Sequence, residues 1–168
     1  SPAHPIVLLK KKNHVDIPDL INPGQNTLGF MLPYTPLHLL LLEPDYYSGF
    51  PEVLVMTTGN MSEEPIAIDN DEALQRLTPL ADYFLLHNRD IYLRSDDSVV
   101  KHTANATRFF RRSRGYVPVP VFLKEKLRPV LACGAELKNT ICLTRGNLAF
   151  LSQHVGDLEN LATYAFFR

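Results

Sequence analysis

Residues 27–42 read TLGFMLPYTPLHLLLL, and this stretch sets the expected fold class. Thr27 to Leu32 is a short apolar run that follows the turn signal Asn22-Pro23-Gly24, as a strand would. A few residues later the pattern changes. Thr35 is a good helix cap, Pro36 suits the first helical position, and Pro36 to Leu42 reads as a short helix. A strand running straight into a helix is the alternation of an α/β protein. The flanks repeat it. Pro5 to Leu9 and Val53 to Thr57 read as further strands, and Tyr83 to Leu86, Asp97 to Lys101 and Arg108 to Arg112 add more. Asp69 to Leu77 reads as a helix, with Asp69 and Glu72 at capping-box spacing.

Composition narrows the class. The chain has 168 residues, 45% of them apolar, enough for one domain or for one domain and part of another. A formal charge of −1 gives no global pull toward nucleic acid or an anionic membrane. The two cysteines, Cys133 and Cys142, are too few for a disulfide scaffold or a zinc ribbon, so a reducing, cytoplasmic setting is expected. The apolar run at Leu37 to Leu42 is far short of a membrane span, and the first residues do not resemble a signal peptide. The chain opens on Ser1 rather than Met, as expected of a piece of a longer protein.

A boundary is expected over Pro118 to Pro129, where prolines surround Lys124-Glu125-Lys126. The division predicted from this is a first domain over 1–122, a linker at 123–129 and a second, incomplete domain over 130–168. In the second, Val130 to Cys133 reads as a strand. Ile141 to Thr144 and Leu148 to Leu151 read as a hairpin closed by Arg145-Gly146-Asn147. Leu158, Leu161, Ala162, Ala165 and Phe166 mark the apolar face of a last helix that Asp157 is placed to cap.

Several groups carry chemistry. Thr58, Gly59 and Asn60 stand after a predicted strand, where α/β sheets bind ligands, and supply neutral hydrogen bonds beside a flexible backbone. The same residues also suit a plain polar turn. Asp96, Asp97 and Ser98 open a predicted strand, either as a Mg²⁺-assisting acidic pair or as a turn. Arg108, Arg111, Arg112 and Arg114 form the densest cationic cluster, with Arg112 and Arg114 on one strand face. That pair suits a phosphate clamp, RNA is the rival because Phe109, Phe110 and Tyr116 interleave, and a solvated strand is the third reading. His4, His14, His38, His87, His102 and His154 show no helical pairing that would hold a metal.

Taken in order, SPAHPIVLLKK, LGFMLPYTPLH, TTGNMSEEPI, LLHNRDI, DDSVV, RRSRGYVP, CGAELKNTICL and LSQHVGDL resemble the HypF-type carbamoyltransferases of [NiFe]-hydrogenase maturation. The resemblance covers about residues 1 to 160 and implies a twisted, mixed YrdC-like sheet with helices. A truncated hairpin and helix from an actin-like-ATPase-type domain would follow it. It further implies that carbamoyl phosphate and ATP yield carbamoyl-adenylate, with Mg²⁺ as helper. The carbamoyl group would then pass to the C-terminal cysteine of the partner protein HypE. By the resemblance Thr58 and Asn60 face the adenylate and its acyl group, Asp97 or Ser98 lines the same pocket, and Thr27 joins the nucleotide-binding set. One of Arg111, Arg112 and Arg114, with Arg112 the first choice, would meet phosphate, while Lys138, Asn139, His154 and Asp157 become candidate positions of the transfer domain.

The departures are informative. Threonylcarbamoyl relatives carry an arginine before the strand's proline to hold a carboxylate. Here the position is Met31, which favours a carbamoyl group over a threonylcarbamoyl one. The family's acylphosphatase-like domain, its zinc-binding cysteines, the basic opening segment of its YrdC-like domain and its downstream metal-binding histidines are not in the sequence. A fragment without that basic charge is expected to be catalytically crippled. The alternatives are an RNA- and nucleotide-binding module of the threonylcarbamoyl type, or a non-catalytic structural fragment.

Overall fold

The computed structural model describes residues 1–12, 17–43 and 51–168; His14 lies outside them. The architecture is mixed α/β, with two sheets and three α-helices among the described residues, and the chain falls into two compact units. The first unit takes residues 1–56 and 97–115, the second 57–96 and 116–168.

The first unit is built on a four-stranded mixed sheet in the order β2-β1-β3-β4. Strand β1 (Ile6–Lys10) pairs antiparallel with β2 (Thr27–Phe30), Leu8 opposite Gly29. On its other side β1 runs parallel to β3 (Val99–Thr103), with Ile6 opposite Val99, and β3 pairs antiparallel with β4 (Ala106–Arg111). The β3–β4 turn uses Ala104 and Asn105, both at positive φ (49° and 56°), the conformation that two-residue hairpins require. Helix α1 (Pro36–Leu42) forms where expected, with Thr35 Oγ1 accepting from the His38 amide at 3.1 Å.

In the second unit α2 (Asn70–Leu77) is capped by Asp69, whose Oδ1 accepts from the Glu72 amide at 2.9 Å. Its three-stranded antiparallel sheet has the order β5-β7-β6, from β5 (Val121–Leu127), β6 (Leu131–Cys133) and β7 (Ile141–Leu151). The chain ends in α3 (Leu161–Phe167).

Several expectations need correction. The segment 123–129 is not a linker over most of its length: it falls within the strand Val121–Leu127, which is in register with β7 at Val121, Phe122 and Leu127. The expected hairpin over 141–151 does form within β7: the Ser152 amide donates to the Ile141 carbonyl at 2.8 Å and Asn139 bridges Gly156 antiparallel, so the chain folds back at Gly146, which sits at φ +61°, and the returning arm of β7 pairs with β5. Thr144 ties that strand to its other neighbour, its Oγ1 accepting from the Val130 amide at 3.0 Å and donating to the Arg128 carbonyl at 2.8 Å. The apolar runs at 53–57 and 83–86 are not strands, since neither finds a ladder partner among the described residues. Helix α3 is capped by Asn160 rather than Asp157.

Tight apolar burial is confined to a few positions. Val100 in β3 and Ala149 in β7 are the buried hydrophobic residues among those described, while Tyr83 and Tyr92 stand more than nine-tenths exposed. No described helix is long and apolar enough to cross a membrane.

Candidate functional site

Asp97, Ser98 and Arg114 come together in the first unit, where β3 begins and the chain leaves β4. Ser98 is 1% exposed and both halves of its hydroxyl are used: Oγ accepts from the Ser113 amide at 2.7 Å and donates to the Arg114 carbonyl at 2.9 Å. Arg114 Nε donates to Asp97 Oδ1 at 3.1 Å, the two form an ion pair, and their backbones form a parallel bridge. The Arg114 guanidinium also lies over the Tyr34 ring, 5.4 Å from its centroid. Tyr34 stacks on His4 at 4.6 Å and meets His38 edge-on at 5.1 Å. Burial pushes the Tyr34 hydroxyl pKa up, Arg114 pulls it down and Asp97 raises it.

One expectation fails here. Arg112 and Arg114 do not share a strand face, because β4 ends at Arg111 and Arg114 is engaged with Asp97 and Tyr34. Ser98 points its hydroxyl into the backbone between β3 and the end of β4, a structural use rather than a ligand-facing one. Thr27 begins β2 opposite Lys10, its carbonyl accepting from the Asn22 side chain.

The second unit holds a cavity of ≈ 230 Å³. Thr58 and Asn60 line it together with His154 and Asp157, and Asp96 is the acidic member of the Asp96-Asp97 pair found in its wall. The Asn60 side-chain amide donates to the Met61 carbonyl at 2.8 Å, which leaves its Oδ1 as the acceptor. The loop carrying these residues closes through the Ala67 amide on the Gly59 carbonyl at 2.9 Å. Gly59 does not need a left-handed conformation, so the polar-turn explanation of that glycine does not apply. Behind the loop Arg76 pairs with Glu64 and Glu72, and its pKa is raised, first by the hydrogen bond to Glu64.

Of the second-segment candidates, Lys138 ends a short 3-10 turn and is exposed. Asn139 is fully buried; its carbonyl accepts from the Val155 amide at 2.9 Å, and its side-chain amide meets no hydrogen-bonding partner among the described residues. Neither belongs to the cavity wall, whereas His154 and Asp157 do. Arg94 also lines the cavity and was not legible in the sequence as a site residue, a lone arginine before the Ser95-Asp96-Asp97 run being its only signal. Among the described residues no group of three or more His, Cys, Asp or Glu side chains is placed to hold a metal ion.

The chain is similar to known proteins along nearly all its length. Residues 1–113 match the Sua5, YciO and YrdC family, described as "Telomere recombination", and residues 125–168 match the HypF Kae1-like domain. Carbamoyltransferase HypF2 of Cupriavidus necator is 50% identical over 95% of this chain and 21% of its own length. A full-length HypF solved in a phosphate- and nucleotide-bound form superposes with a TM-score of 0.83 at 48% identity, over 97% of this chain and 25% of that one. The HypF of T. kodakarensis gives a TM-score of 0.87 at 38% identity, over 99% and 21%. The chain thus spans about a fifth to a quarter of the length of the relatives it matches.

The fold and the first match place the chain in the Sua5, YciO and YrdC family. Its continuation into a Kae1-like segment, with likeness to HypF proteins along nearly all its residues, makes it a HypF-type sequence.

Proposed function

We propose that the chain forms part of a carbamoyltransferase, and that its second-unit cavity belongs to the place where carbamoyl-adenylate is bound. Carbamoyl phosphate would first lose phosphate to water. The resulting carbamate oxygen would bond to the α-phosphorus of ATP as pyrophosphate leaves, and the carbamoyl group would finally pass to a cysteine thiolate of an acceptor protein, HypE, releasing AMP.

The observation that carries the reading is the composition of one cavity wall. Thr58 and Asn60 come from the YrdC-like match, His154 and Asp157 from the Kae1-like match, and all four line the same cavity. A carbamoyl group is small, neutral and rich in N–H donors, which suits the free Asn60 Oδ1 and the Thr58 hydroxyl. Arg94 is the cation in the wall for phosphate oxygens. Asp96 is one of the carboxylates in the wall and could serve a Mg²⁺ ion carried in with the nucleotide, which would offset phosphate charge; such ions are commonly held by one or two carboxylates plus phosphate. Met31 supports a carbamoyl rather than a threonylcarbamoyl substrate, since no guanidinium stands there for a carboxylate.

The test is carbamoyl-phosphate-dependent exchange of pyrophosphate into ATP. This chain replaces the matching residues of the Cupriavidus necator relative, and the chimera is compared with its Thr58→Ala/Asn60→Ala form. Exchange should appear in the first and fall about 100-fold or more in the second. Full exchange in the double variant refutes the site, and none in either chimera refutes the enzymatic reading.

A further inference from the structure

The loop at 59–67 closes on itself through Ala67 and Gly59, but two of its carbonyls are taken up by side chains from elsewhere in the second unit. The Glu63 carbonyl accepts from Asn160 Nδ2 at 3.3 Å. The Ile66 carbonyl accepts from Arg94 Nε at 2.7 Å, and the Arg94 carbonyl accepts in turn from Gln153 Nε2. Both anchoring amides lie in the Kae1-like match, and every carbonyl they serve lies in the YrdC-like one.

The anchors are themselves firmly held. Asn160 Oδ1 caps α3, accepting from the Ala162 amide at 2.9 Å and the Thr163 amide at 3.3 Å, which turns its Nδ2 outward as the donor. Gln153 follows Ser152, whose amide donates to the Ile141 carbonyl and whose Oγ accepts from the Ile141 amide, each at 2.8 Å. The donors therefore sit at a strand end and a helix start, while the acceptors sit on an irregular loop. In such a pairing the rigid side sets the position of the mobile one.

We infer that Gln153 and Asn160 are positioning residues that fix the 59–67 loop, so that the placement of Thr58 and Asn60 depends on the Kae1-like segment. The inference rests on the proposed role of Thr58 and Asn60. It adds to it a physical coupling: the second segment holds the adenylate-facing loop of the first in its working geometry. Neither residue touches substrate. Each acts through a backbone carbonyl, and small displacements of binding groups are enough to cost about 100-fold in rate.

Two substitutions isolate the anchors. Asn160→Asp keeps the oxygen that caps α3 and removes the donor to Glu63; Gln153→Glu keeps size and removes the donor to Arg94. Hydrogen exchange on this chain reads the loop directly. The Ala67 amide should exchange about tenfold faster in each variant, a loss comparable to one hydrogen bond, with the Ala73 amide of α2 unchanged as the control for folding. In the chimera, kcat for pyrophosphate exchange should fall about tenfold or more while KM for ATP stays within about twofold, and Gln153→Lys, which restores a donor of similar reach, should recover most of it. Unchanged Ala67 exchange in both variants overturns the inference, as does a KM effect at constant kcat. Faster Ala67 exchange in a chimera without pyrophosphate exchange leaves the coupling standing and removes the carbamoyl-adenylate reading instead.

Discussion

Ser98 and Thr58 are hydroxyl residues of similar promise in the sequence, and the two units use them in opposite ways. In the first unit the Ser98 hydroxyl is buried and accepts from one backbone group while donating to another. In the second, the Thr58 hydroxyl is exposed at a cavity wall. The acids also part in place: Asp97 forms an ion pair with Arg114 beside Tyr34 in the first unit, and Asp96, one residue earlier, lies in the cavity wall of the second. A polar side chain whose hydrogen-bonding capacity is already used holds a fold together, and one whose capacity is open is available to a ligand. Residue type is the same in both cases. Only the partners differ.

The sharpest way to break this contrast is at Gly115, where the first unit has no room. Gly115 sits at φ +88°, and an added Cβ would overlap the Ala3 carbonyl oxygen and come 2.8 Å from its carbon, contacts with backbone that cannot swing away. Gly115→Ala should cost about 4 kcal/mol, read from chemical denaturation and from exposure of the β1 amides to exchange. Next comes Ser98→Ala, which strands the Ser113 N–H and removes a donor from the Arg114 carbonyl at a fully buried position. A loss of about 3 kcal/mol is expected in the same measurement. A loss below about 1 kcal/mol would mean that Ser98 does not serve the fold as described.

How far the sequence announced these differences depends on the range of the forces involved. The caps at Thr35 and Asp69 were legible because each is decided within four residues by one side chain and one amide. The strand at 6–10 was legible because a nearly continuous apolar run also finds β2 and β3 as partners. Val53 to Met56 has a similar composition and no ladder partner among the described residues, and nothing within the run itself tells the two cases apart. The hairpin turn at Arg145-Gly146-Asn147 was legible because glycine permits it locally, and the Ser152 amide on the Ile141 carbonyl closes it. That β5 and β6 pair with its two arms was not, because that is information from distant residues. The site shows the same limit. Thr58, Asn60, His154 and Asp157 could be named from motifs, but not that they line one cavity, nor that Asp96 rather than Asp97 is in its wall.

Smaller effects sharpen the comparison further. The Asp97–Arg114 pair is the most conspicuous electrostatic feature of the first unit, yet the Arg114 side chain is 48% exposed and solvent screens it. A double-mutant cycle with Asp97→Asn and Arg114→Gln should return less than about 1 kcal/mol of coupling, falling further in high salt. The pair thus orders the surroundings of Tyr34 more than it stabilises the unit. A coupling of several kcal/mol would place it with Ser98 as a structural contact.

The smallest expected effect says most about the second unit. Thr58 is exposed, and among the described residues its hydroxyl makes no hydrogen bond, so Thr58→Ala should change stability by less than about 0.5 kcal/mol. The same substitution takes away a hydroxyl that the proposed site needs, so activity and stability should separate in this one variant. Ser98→Ala should show the opposite: stability lost, with no claim on the ligand. If Thr58→Ala instead lost more than about 1 kcal/mol in chemical denaturation, its hydroxyl would have a structural partner after all, and the distinction between used and open polar groups would fail where it matters for function.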